Sequence, residues 1–208
     1  MRSTDLVLAL TLLAAAGASG CVGPHTVPPM GAAQIASDFE SYTIQRVGFV
    51  PFQALHSARL APQEVGSIET SFHAEFASGT PYDIIPLRAQ DLAEIMPPEP
   101  FRRGWYPPEA IVALRDRYRL DAVLIGSVTA RRVNPPMVLG AQIDLVSCET
   151  GQTIWSSDIL LDASHEATRD ALFVWAEREL GEKHAASIAL LSPRRFAHFA
   201  AFQMARML

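Results

Sequence analysis

Few residues of this 208-residue chain have the types and spacing of a reaction centre. Its six histidines, His25, His56, His73, His165, His184 and His198, are scattered, and no two stand four apart as a helical metal pair requires. The segment His165-Glu166-Ala167-Thr168-Arg169 comes nearest, but Arg169 takes the place of the second imidazole in a His-Glu-x-x-His zinc motif. No metal or other cofactor is expected. A Gly-x-Ser-x-Gly nucleophile elbow, a phosphate-cradling glycine loop and a dinucleotide fingerprint are all missing from the sequence. Cys148, in Ser147-Cys148-Glu149-Thr150-Gly151, reads as a turn residue rather than a nucleophile. The carboxylates Asp144, Glu149, Asp158 and Asp162 fall on β-rich segments, where acids on the wet face of an antiparallel sheet are ordinary. A hydrolase would need two of them, Asp144 and Asp158, to converge in a cleft.

Two segments have the composition of binding surfaces. The insert from Met96 to Pro108 holds Pro97, Pro98, Pro100, Pro107 and Pro108, with Phe101, Arg102, Arg103, Trp105 and Tyr106 between them. Prolines lower the entropy lost on ordering, and aromatics with Arg are the residue types enriched in binding hot spots. These five residues are candidates for docking a partner; the alternative is a stiff connector whose aromatics fold back over the sheet. The second segment is the last helix, where Arg194, Arg195, Phe196, Phe199 and Phe202 make a basic, aromatic face in an otherwise acidic chain. Such a face can lie on an anionic membrane or seat in a partner groove, or its aromatics can pack on the domain itself.

The strongest chemical signal lies at the N-terminus. Residues Leu6 to Ala18 form an apolar run of 13 residues behind Arg2, too short to span a bilayer core of about 30 Å. The run reads as a signal-peptide core. It ends in Ala18-Ser19-Gly20-Cys21, which resembles the lipobox of bacterial lipoproteins, in which the cysteine becomes the lipidated first residue. Ala18 stands where that family usually has Leu. The resemblance implies that residues 1–20 are removed and that Cys21 is the lipid-attachment site, giving the chain a membrane partner through its N-terminal lipid. In such families Asp after the cysteine favours the inner membrane; Val22 stands there instead, which implies the periplasmic face of the outer membrane, or the cell membrane of a host without one. Removal of the leader also accounts for most of the mean hydropathy of +0.14. Only Cys148 would remain beside Cys21, so no intramolecular disulfide is expected despite an oxidising compartment.

Residues 21–41, rich in Pro and Gly, read as a lipid-anchored flexible tether, whose root-mean-square span would be about 25 Å for twenty residues. Residues 42–208 read as a single globular domain. Ile44, Val47, Phe49 and Val50 mark a strand; Val65, Ile68, Phe72 and Phe76 recur at helical spacing; Ile84-Ile85 is a short strand; Arg88 to Ile95 and Pro108 to Tyr118 are helices. Ala122 to Val128 is a continuous apolar run, as for a strand covered on both faces. Leu139 to Leu145 alternates, and Thr153 to Leu161 completes an antiparallel three-stranded meander with reversals at Asn134-Pro135-Pro136 and Gly151. Helices from Glu166 to His184 and from Pro193 to Met207, the latter capped by Ser192, close the chain. The fold class is α/β (α+β), a small mixed sheet with helices packed on it, in the order β-α-β-α-α-β-β-β-α-α.

Two of these segments carry a wider resemblance. Leu120-Asp121-Ala122-Val123-Leu124-Ile125-Gly126-Ser127-Val128, followed by Glu149-Thr150-Gly151-Gln152-Thr153-Ile154-Trp155, is similar to a Gly-Ser strand and a Thr-Gly-x-x-x-Trp hairpin. These recur in a group of bacterial envelope lipoproteins: the curli-secretion, flagellar-assembly and penicillin-binding-protein-activator lipoproteins and the N-terminal domain of the Tol-system propeller protein. The resemblance, over roughly residues 43 to 162, implies a small α/β domain and a non-enzymatic assembly, scaffold or activator role beside an unidentified envelope protein, with a homo-oligomer compatible. A secretion pore is not expected, because the chain has no spare pair of long alternating segments for extra membrane hairpins. The rival readings are an envelope-polymer hydrolase using Asp144 and Asp158, and a carrier of a lipid or small ligand. With 17 Lys+Arg against 22 Asp+Glu, nucleic acid is not an expected partner.

Overall fold

The computed structural model describes residues 27, 29–55, 60–95, 106–181 and 185–208. Its elements are β1 (Gly31–Ile35), a 3-10 turn (Phe39–Ser41), β2 (Arg46–Phe49), β3 (Gln53–Ala54), α1 (Pro62–Gly79), β4 (Asp83–Pro86), α2 (Ala89–Leu92), α3 (Pro108–Tyr118), β5 (Ala122–Arg132), β6 (Val138–Ser147), β7 (Thr153–Asp162), α4 (Glu166–Leu180), α5 (Ala185–Ala189) and α6 (Pro193–Ala205). The expected order is present, with β1, β3 and α5 added. One mixed sheet runs β1-β7-β6-β5-β2-β4, and β3 pairs with the far end of β5.

β5 lies in the middle of this sheet, parallel to β2 and antiparallel to β6, which is why Ala122 to Ile125 are all apolar and buried. On one face lie α1, α4 and α6. Ile68, Phe72 and Phe76 of α1 meet Leu124, Leu145 and Trp155 of the sheet and Phe196 and Phe199 of α6 in one apolar cluster. On the other face α3 places Ile111 and Leu114 over Val123, Ile125 and Val146. On the rest of that second face, on β7 and β1, Asp158, Ala32 and Gln34 are exposed, and Leu160 is 66% exposed.

Both elements of the lipoprotein-like signature have a packing role. Gly126 leaves a notch on the helix-covered face that the Phe52 ring fills, since a Cβ there would stand 2.1 Å from Phe52 Cε1. Phe52 in turn stacks on Phe49 at 5.4 Å between centroids and tilts against Phe72 at 5.1 Å. Gly151, at φ 71°, makes the turn before β7, a conformation that glycine adopts without strain. Trp155 is 1% exposed and donates its indole N–H to Met207 O at 2.8 Å, so the hairpin holds the end of the last helix.

Three expectations need correction. The tether over 21–41 ends earlier than Tyr42, because Gly31–Ile35 pairs antiparallel with β7, from Gly31 opposite Ile159 to Ile35 opposite Trp155. Asp144 does not sit on a wet face; it is 3% exposed, covered by Tyr106. The helix expected to reach His184 stops at Leu180, with Gly181 at φ 64° as its left-handed cap.

Candidate functional site

Cys21, Phe101, Arg102, Arg103 and Trp105 lie outside the described residues. What the structure describes is the ground on which each segment stands.

The chain leaving Cys21 is fixed to the domain almost at once. Val27 is 2% exposed in the main core, and its carbonyl accepts a 3.1 Å bond from Arg206 Nη1. The Met30 N–H donates to Oε1 of buried Gln203 at 3.3 Å, and β1 follows directly. The last turn of α6 therefore clamps Val27 and Met30. Around this corner Phe202, Met207 and Leu208 are partly exposed, and the Arg206 guanidinium stands 5.2 Å above the Phe202 ring. Phe202 is among the residues the sequence offers for a membrane or partner face; the hold of Arg206 and Gln203 on Val27 and Met30 is not among its expectations.

α6 begins as expected: Ser192 caps it, accepting from Arg195 N–H at 3.3 Å, with Pro193 in the first turn. Of the five candidate residues on it, Phe196 and Phe199 are 1% and 0% exposed, inside the core, and Trp175 packs on Phe199 at 5.5 Å. Their rings are not free to enter a membrane or a partner groove. Arg194 is exposed, Arg195 half-buried, and both line a cleft of about 500 Å³ with Glu75, Glu179, Ser192 and His198. His198 Nδ1 lies 3.0 Å from Glu75 Oε1, joining α6 to α1. The carboxylates Glu75 and Glu179 line this cleft together with the two arginines, so the start of α6 does not present a purely basic surface.

Of the five loop candidates the structure describes Tyr106. Its ring is 8% exposed in the second cluster, and its hydroxyl donates to Asp144 Oδ2 at 2.5 Å. Tyr106 is thus tied to the middle of β6 just before Pro107 and Pro108 start α3. Asp144 and Asp158 do share a face, since Asp144 pairs with Ser156 and Gln142 with Asp158. One of them is buried under a tyrosine and the other is exposed, and neither lines the cleft of about 500 Å³ or the smaller one of about 210 Å³. Among the described residues the two carboxylates are not brought together around either cleft.

The smaller cleft is bounded by Tyr42, Arg115, Asp121, Cys148 and Glu149. Burial, and after it the Asp121 charge, pushes the Cys148 thiol up to about 12, while Arg115 pulls the other way. The thiolate that a nucleophile needs is scarce at neutral pH. Asp121 itself accepts the backbone N–H groups of Gln45 and Arg46 at 2.9 and 2.8 Å, a structural task. Among the described residues no group of three or more His, Cys, Asp or Glu is placed to hold a metal ion, and no helix is long and apolar enough to cross a membrane.

No protein-family description matches the chain, and no curated protein matches it. Among solved structures the chain is similar to the PelC dodecamer from Paraburkholderia phytofirmans, at 16% identity and a TM-score of 0.43, over 80% of this chain and 98% of that one. It is also similar to lipoprotein GNA1162 from Neisseria meningitidis, at 17% identity and a TM-score of 0.40, over 56% of this chain and 79% of that one. The LpoB C-terminal domain from Escherichia coli matches at 17% identity and a TM-score of 0.40, over 58% and 84% of the two chains. Identities and scores of this size leave the function to be argued from the chain's own residues.

Proposed function

We propose that this protein is a lipid-anchored lipoprotein of the bacterial outer membrane, facing the periplasm, that acts as an assembly, scaffold or activator component of the cell envelope. The observation that carries the reading is the apolar run Leu6 to Ala18 ending in Ala18-Ser19-Gly20-Cys21, directly ahead of a chain that joins its own core at Val27. Three acyl chains on Cys21 exceed the two signals that stable anchoring needs. The reading assigns no reaction. Cys148 is buried with a raised thiol, Asp144 is engaged by Tyr106, and Asp158 stands on an open sheet face. Binding falls to surfaces instead: the aromatic and basic residues Phe101, Arg102, Arg103 and Trp105, and the open face of β7 and β1.

Metabolic labelling with tritiated palmitate tests the anchor: label is expected in the natural chain and lost in Cys21→Ala. Crosslinking in intact cells, followed by identification of the captured chain, tests the role. Capture of an envelope protein or of a second copy supports it. Persistence of label in Cys21→Ala contradicts the anchor.

A further inference from the structure

Resting on that lipid-anchored reading, we infer that the corner formed by Val27, Met30 and the last turn of α6 is the membrane-facing surface of the protein, held against the phospholipid headgroups by the shortness of its tether. The argument is one of reach. A chain free from Cys21 to Tyr42 could extend for about 70 Å, which would leave the domain no fixed orientation. The chain is not free over that length. Val27 is 2% exposed, its carbonyl is held by Arg206, and Met30 N–H is held by Gln203. Six residue steps separate Val27 from Cys21, and fully extended they span about 20 Å. The thiol of a lipidated cysteine sits at the glycerol level, and one headgroup layer takes up roughly 5–8 Å of that reach. Little more than the thickness of the side chains covering Val27 is left between the corner and the bilayer.

The corner suits that position. Phe202, Met207 and Leu208 are partly exposed around it, and Arg206 is exposed with its guanidinium over the Phe202 ring. An aromatic and apolar body beside an arginine is interface chemistry, with the cation available to lipid phosphate. The apolar residues Phe196 and Phe199, which the sequence offered for such a surface, are inside the core, so the membrane-facing part of α6 is its end and not its beginning. It follows that the cleft of Glu75, Arg194 and His198 near the start of the 13-residue helix is displaced from the corner by about 20 Å along the axis.

The test uses the full chain, exported and processed in bacteria, then reconstituted in vesicles of phosphatidylethanolamine and phosphatidylglycerol carrying a headgroup quencher. A fluorophore is placed at Leu208→Cys or, separately, at Arg194→Cys; Cys148 is 2% exposed and stays unlabelled. The expected result is quenching at least about three-fold stronger at position 208 than at 194, the two marking opposite ends of the helix. Inserting twenty Gly/Ser residues after Gly23 should remove that difference. Equal quenching at the two positions, or a difference that survives the insertion, overturns the inference. Vesicle flotation separates this from failure of the anchor: if the natural chain floats no better than Cys21→Ala, the lipid reading itself falls, whereas a floating protein with equal quenching removes only the orientation.

Discussion

Replacing Tyr106 by Phe removes one oxygen and keeps the ring that fills the second cluster. The hydroxyl donates to Asp144 Oδ2 at 2.5 Å, and the carboxyl it serves is 3% exposed, so water cannot substitute for it without opening the cluster. Losing a hydrogen bond to a buried carboxyl costs about 1–3 kcal/mol. For a domain of this size each kcal/mol lowers Tm by about 2–4 °C, so Tyr106→Phe should unfold about 2–12 °C earlier. The cycle with Asp144→Ala isolates the pair. Once the carboxyl is gone the bond is already lost, and removing the hydroxyl should cost less than it does beside Asp144. The double variant should therefore be more stable than the sum of the single losses by about 1–2 kcal/mol. Urea titrations read by far-ultraviolet circular dichroism measure all four proteins, and the slope with denaturant should not change. Additivity within about 0.5 kcal/mol would refute the claim that Tyr106 is tied to β6 through Asp144.

Three further outcomes follow from other positions. Gly126→Ala drives a methyl into the Phe52 ring and should destabilise by about 2–4 kcal/mol, with the cost falling below about 1 kcal/mol in a Phe52→Ala background; calorimetry of the pair decides. Arg119 ends α3 at φ 55°, so Arg119→Gly should stabilise by about 0.5–1 kcal/mol, and a urea midpoint that does not rise would remove the strain argument. Asp162 is held below its ordinary value near 3.8 by hydrogen bonds from the Ser164 side chain and backbone N–H, with a smaller share from Arg132. A lowered folded value means stability present above that pH and lost as pH falls through the folded value. The stability gap between pH 7 and pH 2.5 should accordingly be narrower in Asp162→Asn than in the natural chain, and an unchanged gap would exclude Asp162 as a source.

Much of the architecture is legible in the residues because its signals are local. The apolar run Ala122 to Val128, the helical spacing of Ile68, Phe72 and Phe76, the Ser192-Pro193 start of α6 and the Gly151 turn each declare their element within a few residues. What was illegible depends on contacts made across the chain. Gly31-Ala32-Ala33-Gln34-Ile35 lacks β-branched alternation and becomes a strand only because β7 offers it an edge. Asp144 looks like a solvent-facing acid in its alternating strand until Tyr106, 38 residues away, covers it. The sequence leaves the aromatics of α6 between a membrane or partner face and packing on the domain, because spacing cannot tell that Trp175 and the sheet both press on the helix. The clamp of Arg206 and Gln203 on Val27 and Met30 has no local signature, since both partners are ordinary helix residues whose importance comes from what passes beside them.

The central claim is that the protein is held to a membrane through Cys21, close enough for residues 27–30 to start the fold. It is tested most directly by the mass of the N-terminal peptide of the protein extracted from bacterial membranes. The account predicts a chain that begins at Cys21 and carries a diacylglyceryl group with an N-linked acyl chain. A chain that begins elsewhere, or at Cys21 with a free thiol, would contradict it.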